Sequence, residues 1–390
     1  MEIFKTKDFE RLSDVHKPFC VSIYIPTHRI STPGQEMDED RIELKNQLQE
    51  ARDQLTIHGM KESEAEPYLE PIAKLLDDND FWNYQSDGLA IFYNGKEVET
   101  FHIPIEFKSY AYVSERYYLL PLAGMLHDSS THFILELSLD HVKLYEATRY
   151  TIAEVGISHL VPTQLEDAVG YDYEQKQLGR RSNQGETGDA EGLYHGHGSG
   201  NETEKKEEAF EYFRQINDGL MKLLNDEDKP MIVACVDYLF PIYRDANEYQ
   251  YLMNEHIEGN FCDEDLLTLK EKAWNIMKPQ VESTRASAKE KYKAQLNQGK
   301  SAPSPETVIP ASMAGRTETL FVKKDSHLWG KYRLKDHSIE INQVRKVGDA
   351  DLLNLAAIET IKHNGKVYVS DENEMPDNTS VVNGVFRYAR

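Results

Sequence analysis

Along the chain the apolar positions fall into blocks whose period changes from two to about 3.6 and back, so strands and helices alternate. Phe19 to Ile25 (FCVSIYI) reads as a buried strand, closed by Pro26, which has no N–H to give a ladder. After a turn-rich stretch, Thr27 to Gln35, the run Asp38-Glu39-Asp40 opens a helix, because negative charge suits the positive end of the helix dipole. Leu44, Leu48, Ala51 and Leu55 supply its apolar stripe, and a second helix is predicted over Glu62 to Leu76. Gly88 to Phe92 and Val98 to Ile103 are predicted to pair as a hairpin through Asn94-Gly95, a dipeptide suited to a type I′ turn. These elements predict an N-terminal α/β domain over residues 1–115.

A short helix, Tyr117 to Leu126, then precedes three strands, His132 to Leu139, His141 to Glu146 and Thr151 to Val155, which read as an antiparallel meander. The polar stretch after them, rich in Gly, Gln, Asn and acidic residues, predicts a long loop over 163–208. Phe210, Phe213, Ile216, Leu220 and Leu223 restore a helical period. Met231 to Leu239 reads as a buried strand, and Tyr249 to His256 and Asp263 to Met277 as helices, completing a middle domain over 116–278. The last domain, 279–390, is predicted to hold a charged helix (Arg285 to Leu296) and a bend at Ser301 to Pro305. Strands follow at Thr319 to Lys323, Lys366 to Ser370 and Val385 to Tyr388. A helix over Asp349 to Ile361 is closed by Asn364-Gly365, a pair fitted to a left-handed cap.

Length and composition sharpen this outline. A chain of 390 residues is too long for one ordinary core, and 39% hydrophobic residues can fill two or three. A net charge of −23 argues against a general nucleic-acid-coating surface, DNA included, and leaves room for RNA contact through local basic stripes and for docking on basic proteins. No run approaches the roughly 20 apolar residues of a membrane helix. The opening Met1-Glu2-Ile3-Phe4-Lys5 lacks the layout of a signal peptide, and Cys20, Cys235 and Cys262 are too far apart for a disulfide framework or a zinc motif. The expectation is a cytoplasmic protein with no cofactor and no membrane partner.

Three stretches carry a resemblance. The first is Val21-Ser22-Ile23-Tyr24-Ile25-Pro26-Thr27-His28-Arg29 with Arg41-Ile42-Glu43-Leu44-Lys45-Asn46. The second is the middle order of helix, strand hairpin, glycine-rich loop and acidic amphipathic helix. The third is Gly315-Arg316-Thr317-Glu318-Thr319-Leu320-Phe321-Val322 with Val382-Asn383-Gly384-Val385-Phe386-Arg387-Tyr388. Together they resemble the bacterial homologues of the archaeal–eukaryotic class I peptide release factors. The resemblance implies a multidomain α/β protein with an RNase H-like middle domain. It also implies a C-terminal α/β/α sandwich like that of some RNA-binding ribosomal proteins. It implies a partner as well, the ribosome (rRNA and ribosomal proteins), with a translational GTPase as a further one. Release factors carry Gly-Gly-Gln at the tip of the middle loop, where the glycines allow close backbone approach to the ester and the glutamine helps position a water. That tripeptide occurs nowhere in this chain. At the corresponding place stand His195, Gly196, His197, Gly198, Ser199, Gly200 and Asn201. The resemblance therefore implies a protein that enters the ribosomal A site for rescue, hibernation or quality control without hydrolysing peptidyl-tRNA. The alternatives are a hydrolase with a substituted loop and a stress-related protein-binding module unconnected to the ribosome.

The remaining chemistry is read from residue types. His195 and His197 with Asp189 and Glu191 have donors for a metal, but no rigid element offers a further ligand, so no metal site is assigned. Arg180 and Arg181 suit phosphate, as do Arg29, Arg41 and Lys45, the last two sharing a helix face with Arg52. Lys323, Lys324, Lys331 and Arg333, with Lys335, Arg345 and Lys346, interleave with Trp329 and Tyr332, a mixture fitted to RNA or to a protein surface. A two-metal nuclease would need clustered carboxylates, and Asp140 and Asp237 are the strand-associated candidates. Phosphate-loop, nucleophile-elbow and dinucleotide motifs are absent.

Overall fold

The computed structural model describes residues 4, 6–28, 35–128, 131–169, 199–261 and 266–389. Packing divides the chain into two units, residues 1–129 together with 281–390, and residues 130–280. The two ends of the chain, read from sequence as separate domains, thus contribute to one unit.

In that unit the N-terminal apolar run becomes β1 (Cys20–Pro26), hydrogen-bonded between β2 (Gly88–Tyr93) and β4 (Tyr110–Ser114), with β3 (Val98–Ile103) outside β2. All pairings are antiparallel. Val21, Ile23 and Ile25 face the helices Gln35–Ile57 and Glu62–Ala73 and meet Leu44, Leu48, Ala51, Leu55, Leu69 and Ile72 in one buried cluster. The predicted stripe is the face that packs. The β2–β3 hairpin also forms, but Tyr93 pairs with Val98 across residues 94–97, and Gly95 takes the left-handed φ, 88°. Asn94 instead accepts the N–H groups of Lys96 (3.0 Å) and Glu97 (3.3 Å) through its side chain, a local bond that replaces the two-residue turn.

The second unit is built on β5 (His132–Leu137), β6 (Val142–Ala147), β7 (Ile152–Val155), β8 (Met231–Cys235) and β9 (Ile257–Glu258), ordered β7-β6-β5-β8-β9. β5, β6 and β7 form the expected antiparallel meander, while β8 and β9 run parallel to β5. Alternation along β5 serves two cores. Phe133, Leu135 and Leu137 pack under the helices Ser199–Leu224 and Leu239–Ala246. Ile134 packs on the other face with Leu269, Ala273 and Met277 of the helix Leu266–Gln295. Three local expectations change. The apolar run at 231–239 stops being a strand at Cys235, and Leu239 starts a helix whose Leu239, Phe240 and Tyr243 are buried. The stretch predicted as a helix from Tyr249 is not one: the Tyr251 carbonyl accepts from Met231 (2.9 Å) and Met253 donates to the Met231 carbonyl (2.8 Å). Those backbone groups serve the edge of β8. The helix from Leu266 continues through Pro279 to Gln295, with buried residues on both sides of the proline sustaining it.

The C-terminal part returns to the first unit. β10 (Ser301–Ala302), β11 (Thr317–Lys323), β15 (Lys366–Ser370) and β16 (Val382–Phe386) form a sheet ordered β10-β16-β11-β15. Beside it lies a small sheet of β12 (Trp329–Arg333), β13 (Ser338–Asn342) and β14 (Ala350–Asp351), ordered β13-β12-β14. Phe321, Tyr368 and Val385 pack with Ala288 and Tyr292 of the long helix. The helices Pro305–Met313 and Leu352–Lys362 supply a further buried layer through Val308, Ile309, Leu353 and Ala357. Asp351 caps the latter by accepting from Leu353 (2.9 Å) and Asn354 (3.4 Å). Asn364 ends it with φ 56°, as its sequence predicts. Buried Asn354 ties the two ends of the chain together. Its Oδ1 accepts the N–H groups of Leu119 (2.8 Å) and Leu120 (3.0 Å), and its Nδ2 donates to the Tyr117 carbonyl (2.9 Å). The helix Leu120–Asp128, predicted to lead the middle domain, is thereby capped from the C-terminal segment. The protein is a mixed α/β protein of more than one unit. Among the described residues no helix is long and apolar enough to cross a membrane.

Candidate functional site

The glycine-rich segment is the sequence's strongest functional candidate, and the structure defines both of its roots. Before it, the helix Leu165–Val169 is pinned where Leu165 donates to the Leu139 carbonyl (2.7 Å), just past the end of β5. The Thr163 hydroxyl (2.9 Å) donates to Asp167, holding that exposed carboxyl below the usual carboxylate range. After the segment, the helix Ser199–Leu224 packs along the same place: Gln215 donates from Nε2 to the Ala168 carbonyl (3.4 Å). Gly219 makes that contact close. A Cβ there would lie 2.3 Å from the Leu160 carbonyl oxygen. Departure and return are therefore adjacent. Buried Tyr212 lies at this root, and its Oη has no hydrogen-bond partner among the described residues. Burial, with Asp167 and Asp140 nearby, pushes its hydroxyl well above the usual tyrosine value.

His195, Gly196, His197 and Gly198 lie outside the described residues, as do Arg180, Arg181, Asp189, Glu191 and Arg29. Ser199, Gly200 and Asn201 begin the helix that was expected to start after residue 208. The helix thus extends further towards the histidines than the polar composition suggests, because residues from Ala209 onward are anchored in the core and carry their N-terminal neighbours along.

The carboxylates weighed for nuclease chemistry are separated into structural pairings. Asp140 is exposed in the β5–β6 turn, where its N–H donates to Ser138 Oγ (3.1 Å). Exposed Asp237 meets His256 Nε2 at 2.9 Å, and His256 stacks on Phe240 at 4.3 Å. A buried carboxylate on this sheet that sequence reading missed is Glu136 on β5. It contacts His141 Nε2 (2.7 Å) and accepts from the Tyr145 hydroxyl (2.8 Å). Ser138 Oγ meets the other imidazole nitrogen at 2.6 Å. Both nitrogens of His141 are engaged, so the cluster satisfies buried polar atoms rather than presenting a free base. Among the described residues no group of three or more His, Cys, Asp or Glu is arranged to hold a metal. Nothing in the described sheet thus supports metal-dependent phosphodiester chemistry.

The basic candidates divide in the same way. Arg41 donates to Asn79 Oδ1 (2.6 Å), whereas Lys45, on the same helix, is exposed. Lys323 pairs with Glu372 (2.7 Å) and Arg333 with Glu340 (2.7 Å). Lys324 and Lys331 are exposed. Arg345 is structural: its guanidinium lies 4.6 Å from the Tyr112 ring and 4.8 Å from Trp329, and it donates to Gln54 Oε1 (3.0 Å). The ring of Trp329 stacks on His327 (5.1 Å), which stacks on Tyr110 (4.9 Å). This aromatic column joins residues more than 200 positions apart in sequence, which no local pattern announces.

Residues 132–279, most of the second unit, match the family described as bacterial archaeo-eukaryotic release factor family 7. These residues are release-factor-like. Three solved structures align with the whole chain or most of it. The archaeal translation termination factor aRF1 is 16% identical, with 99% of each chain covered and a TM-score of 0.24. S. cerevisiae Dom34, a translation termination-like factor involved in RNA quality control and interacting with Hbs1, is 12% identical, with 75% of this chain and 74% of that one covered and a TM-score of 0.35. Archaeal Pelota, bound to the ribosome with ABCE1, is 10% identical, with 100% and 96% covered and a TM-score of 0.36. Scores this low lend the superpositions no weight, and the release-factor-like assignment of the middle segment stands on the family match. No curated protein matches the chain.

Proposed function

We propose that this protein is a cytoplasmic release-factor-like protein that occupies the ribosomal A site and does not release peptide. The carrying observation is a family match over 132–279 in a chain that lacks Gly-Gly-Gln. The order β7-β6-β5-β8-β9, an antiparallel meander extended by two parallel strands, supports the RNase H-like reading of this part. In this reading the chain works as three modules, 1–115, 116–278 and 279–390. The middle one carries His195, Gly196, His197, Gly198, Ser199, Gly200 and Asn201 towards the peptidyl-transferase centre. Two adjacent roots suit that task, since the flanking residues are fixed side by side. Exposed Lys45, Lys324 and Lys331 are the described cations best placed for rRNA, with Arg29, Arg180 and Arg181 assigned from sequence. Rescue, hibernation or quality control is the role, with a translational GTPase as a further partner. No cofactor is required.

Misplacing a group that orients an attacking water by about 1 Å costs roughly 100-fold, and here the water-positioning glutamine is missing altogether. Purified protein is therefore expected to co-sediment with ribosomes in a salt-sensitive manner, to release no peptide from programmed ribosomes above background, and to block a true release factor. Absence from ribosomal fractions in growing, stationary and cold-stressed cells would overturn the ribosome reading and favour a protein-binding module. Robust release that collapses in His197→Ala or His195→Ala would replace it with a peptidyl-tRNA hydrolase.

A further inference from the structure

The first unit contains a cavity of about 360 Å³ whose lining shares Lys324 alone with the cations assigned to rRNA above. Its size lies at the low end of small-molecule sites, about 300–1,000 Å³, suited to one nucleotide rather than a longer chain. Five of its fourteen lining residues have flat side chains: Tyr24, Phe107, Tyr110, Tyr118 and His327. Tyr110 and His327 are stacked at 4.9 Å and 20°, and Tyr118 stands 5.3 Å from Tyr110 and 5.6 Å from His327. His327 lies between Tyr110 and Trp329, so its faces are covered, and a planar base meets the rim of this aromatic group edge-to-face.

Polar groups of both signs complete the lining. Lys108 and Lys324 supply charge for a phosphate, and Glu106 and Asp325 supply acceptors for base amino groups or ribose hydroxyls. The site is also held in place before any ligand arrives. Lys324 donates its N–H to the Ser370 carbonyl (2.8 Å), and Asp325 takes a left-handed φ of 52° in the turn that follows β11. His327 Nδ1 lies 2.7 Å from a carboxylate oxygen of fully buried Asp351. A carboxylate only accepts, so Nδ1 carries a proton and donates it to Asp351, which fixes the orientation of the ring.

We propose that this cavity binds a single nucleotide, its base at the aromatic rim formed by Tyr110, Tyr118 and His327 and its phosphate at Lys108 and Lys324. The ligand is either a free nucleotide or the phosphorylated end of an RNA, which share this chemistry. The inference does not depend on ribosome binding, because it is tested without ribosomes.

The test is calorimetric titration of the full chain with AMP, GMP, adenosine and a 5′-phosphorylated RNA trinucleotide. AMP or GMP is expected to bind saturably and more tightly than adenosine. A Lys108→Ala/Lys324→Ala double variant should weaken AMP binding by about tenfold or more and leave adenosine unchanged. Both lysines are exposed, so their removal leaves the core intact. Tyr110→Ala should weaken AMP and adenosine alike. Tighter binding of the trinucleotide than of AMP identifies an RNA end as the source, and the reverse order identifies a free nucleotide. No saturable binding by any phosphorylated probe up to about 5 mM overturns the proposal. So does AMP binding that survives the double lysine variant at full strength.

Discussion

Replacing Gly219 with alanine sets two physical effects against each other. On helix propensity alone the substitution should stabilise the helix Ser199–Leu224 by about 1 kcal/mol, since glycine loses the most backbone freedom on folding. The tertiary structure predicts the opposite sign. A Cβ at 219 would stand 2.3 Å from the Leu160 carbonyl oxygen and 2.6 Å from Val161 Cγ1, and the first of these is backbone that no rotamer change can move. Forcing a methyl into such a contact costs typically 1–3 kcal/mol. At the upper end of that range the net loss is about 2 kcal/mol, which for a unit this size is a fall of roughly 4–8 °C in melting temperature. Urea and thermal denaturation of the full chain would read the loss. Hydrogen exchange on peptides from the helix would show faster exchange localised to 209–224. An exposed neighbour, Asp218→Ala, should stay within about 0.5 kcal/mol of the parent. A Gly219→Ala protein clearly more stable than the parent would refute the close approach, and with it the argument that the two roots of the glycine-rich segment are held together.

Asn354→Leu should destabilise the first unit by about 3 kcal/mol or more, because two N–H groups and one carbonyl lose their buried partner; a urea-derived loss below about 1 kcal/mol would disprove that role. Burial lowers the pKa of His102, and burial with Arg345 nearby lowers that of His58, so around the ordinary histidine value the unfolded chain binds more protons than the folded one. Stability should accordingly fall as pH drops through about 6.5 and stop falling below the folded pKa values, and His58→Asn with His102→Gln should flatten that slope in pH-dependent melts. Burial pushes the Cys20 thiol up to about 11 and the Cys235 thiol up to about 12, so at pH 8 a disulfide-exchange reagent should leave both unmodified until the chain is unfolded. Rapid modification of either thiol in the native protein would refute its burial.

What the sequence determined by itself was the set of strongly periodic elements. Leu44, Leu48, Ala51 and Leu55 repeat at helical spacing and pack on one face, and the apolar run around Ile23 fills the centre of a sheet, because periodicity and burial report the same free energy of removing apolar surface from water. Asn364 could be read as a helix stop because the left-handed region is a local steric preference. The missing Gly-Gly-Gln was legible too, since it is a matter of residue identity. Tertiary structure alone decided the rest. Short apolar runs such as 249–256 satisfy either period, and backbone bonds to Met231 at the edge of β8 settled that one as a non-helical turn and bridge. The capping of Leu119 and Leu120 by Asn354, the stacking of Tyr110 on His327, and Arg345 over Tyr112 each join residues more than 200 positions apart. No window of local sequence contains both partners. Basic residues looked alike along the chain, yet Arg345 is spent on packing while Lys324 lines a cavity. Charge is a property of the residue, but its availability to a ligand depends on what the fold places beside it.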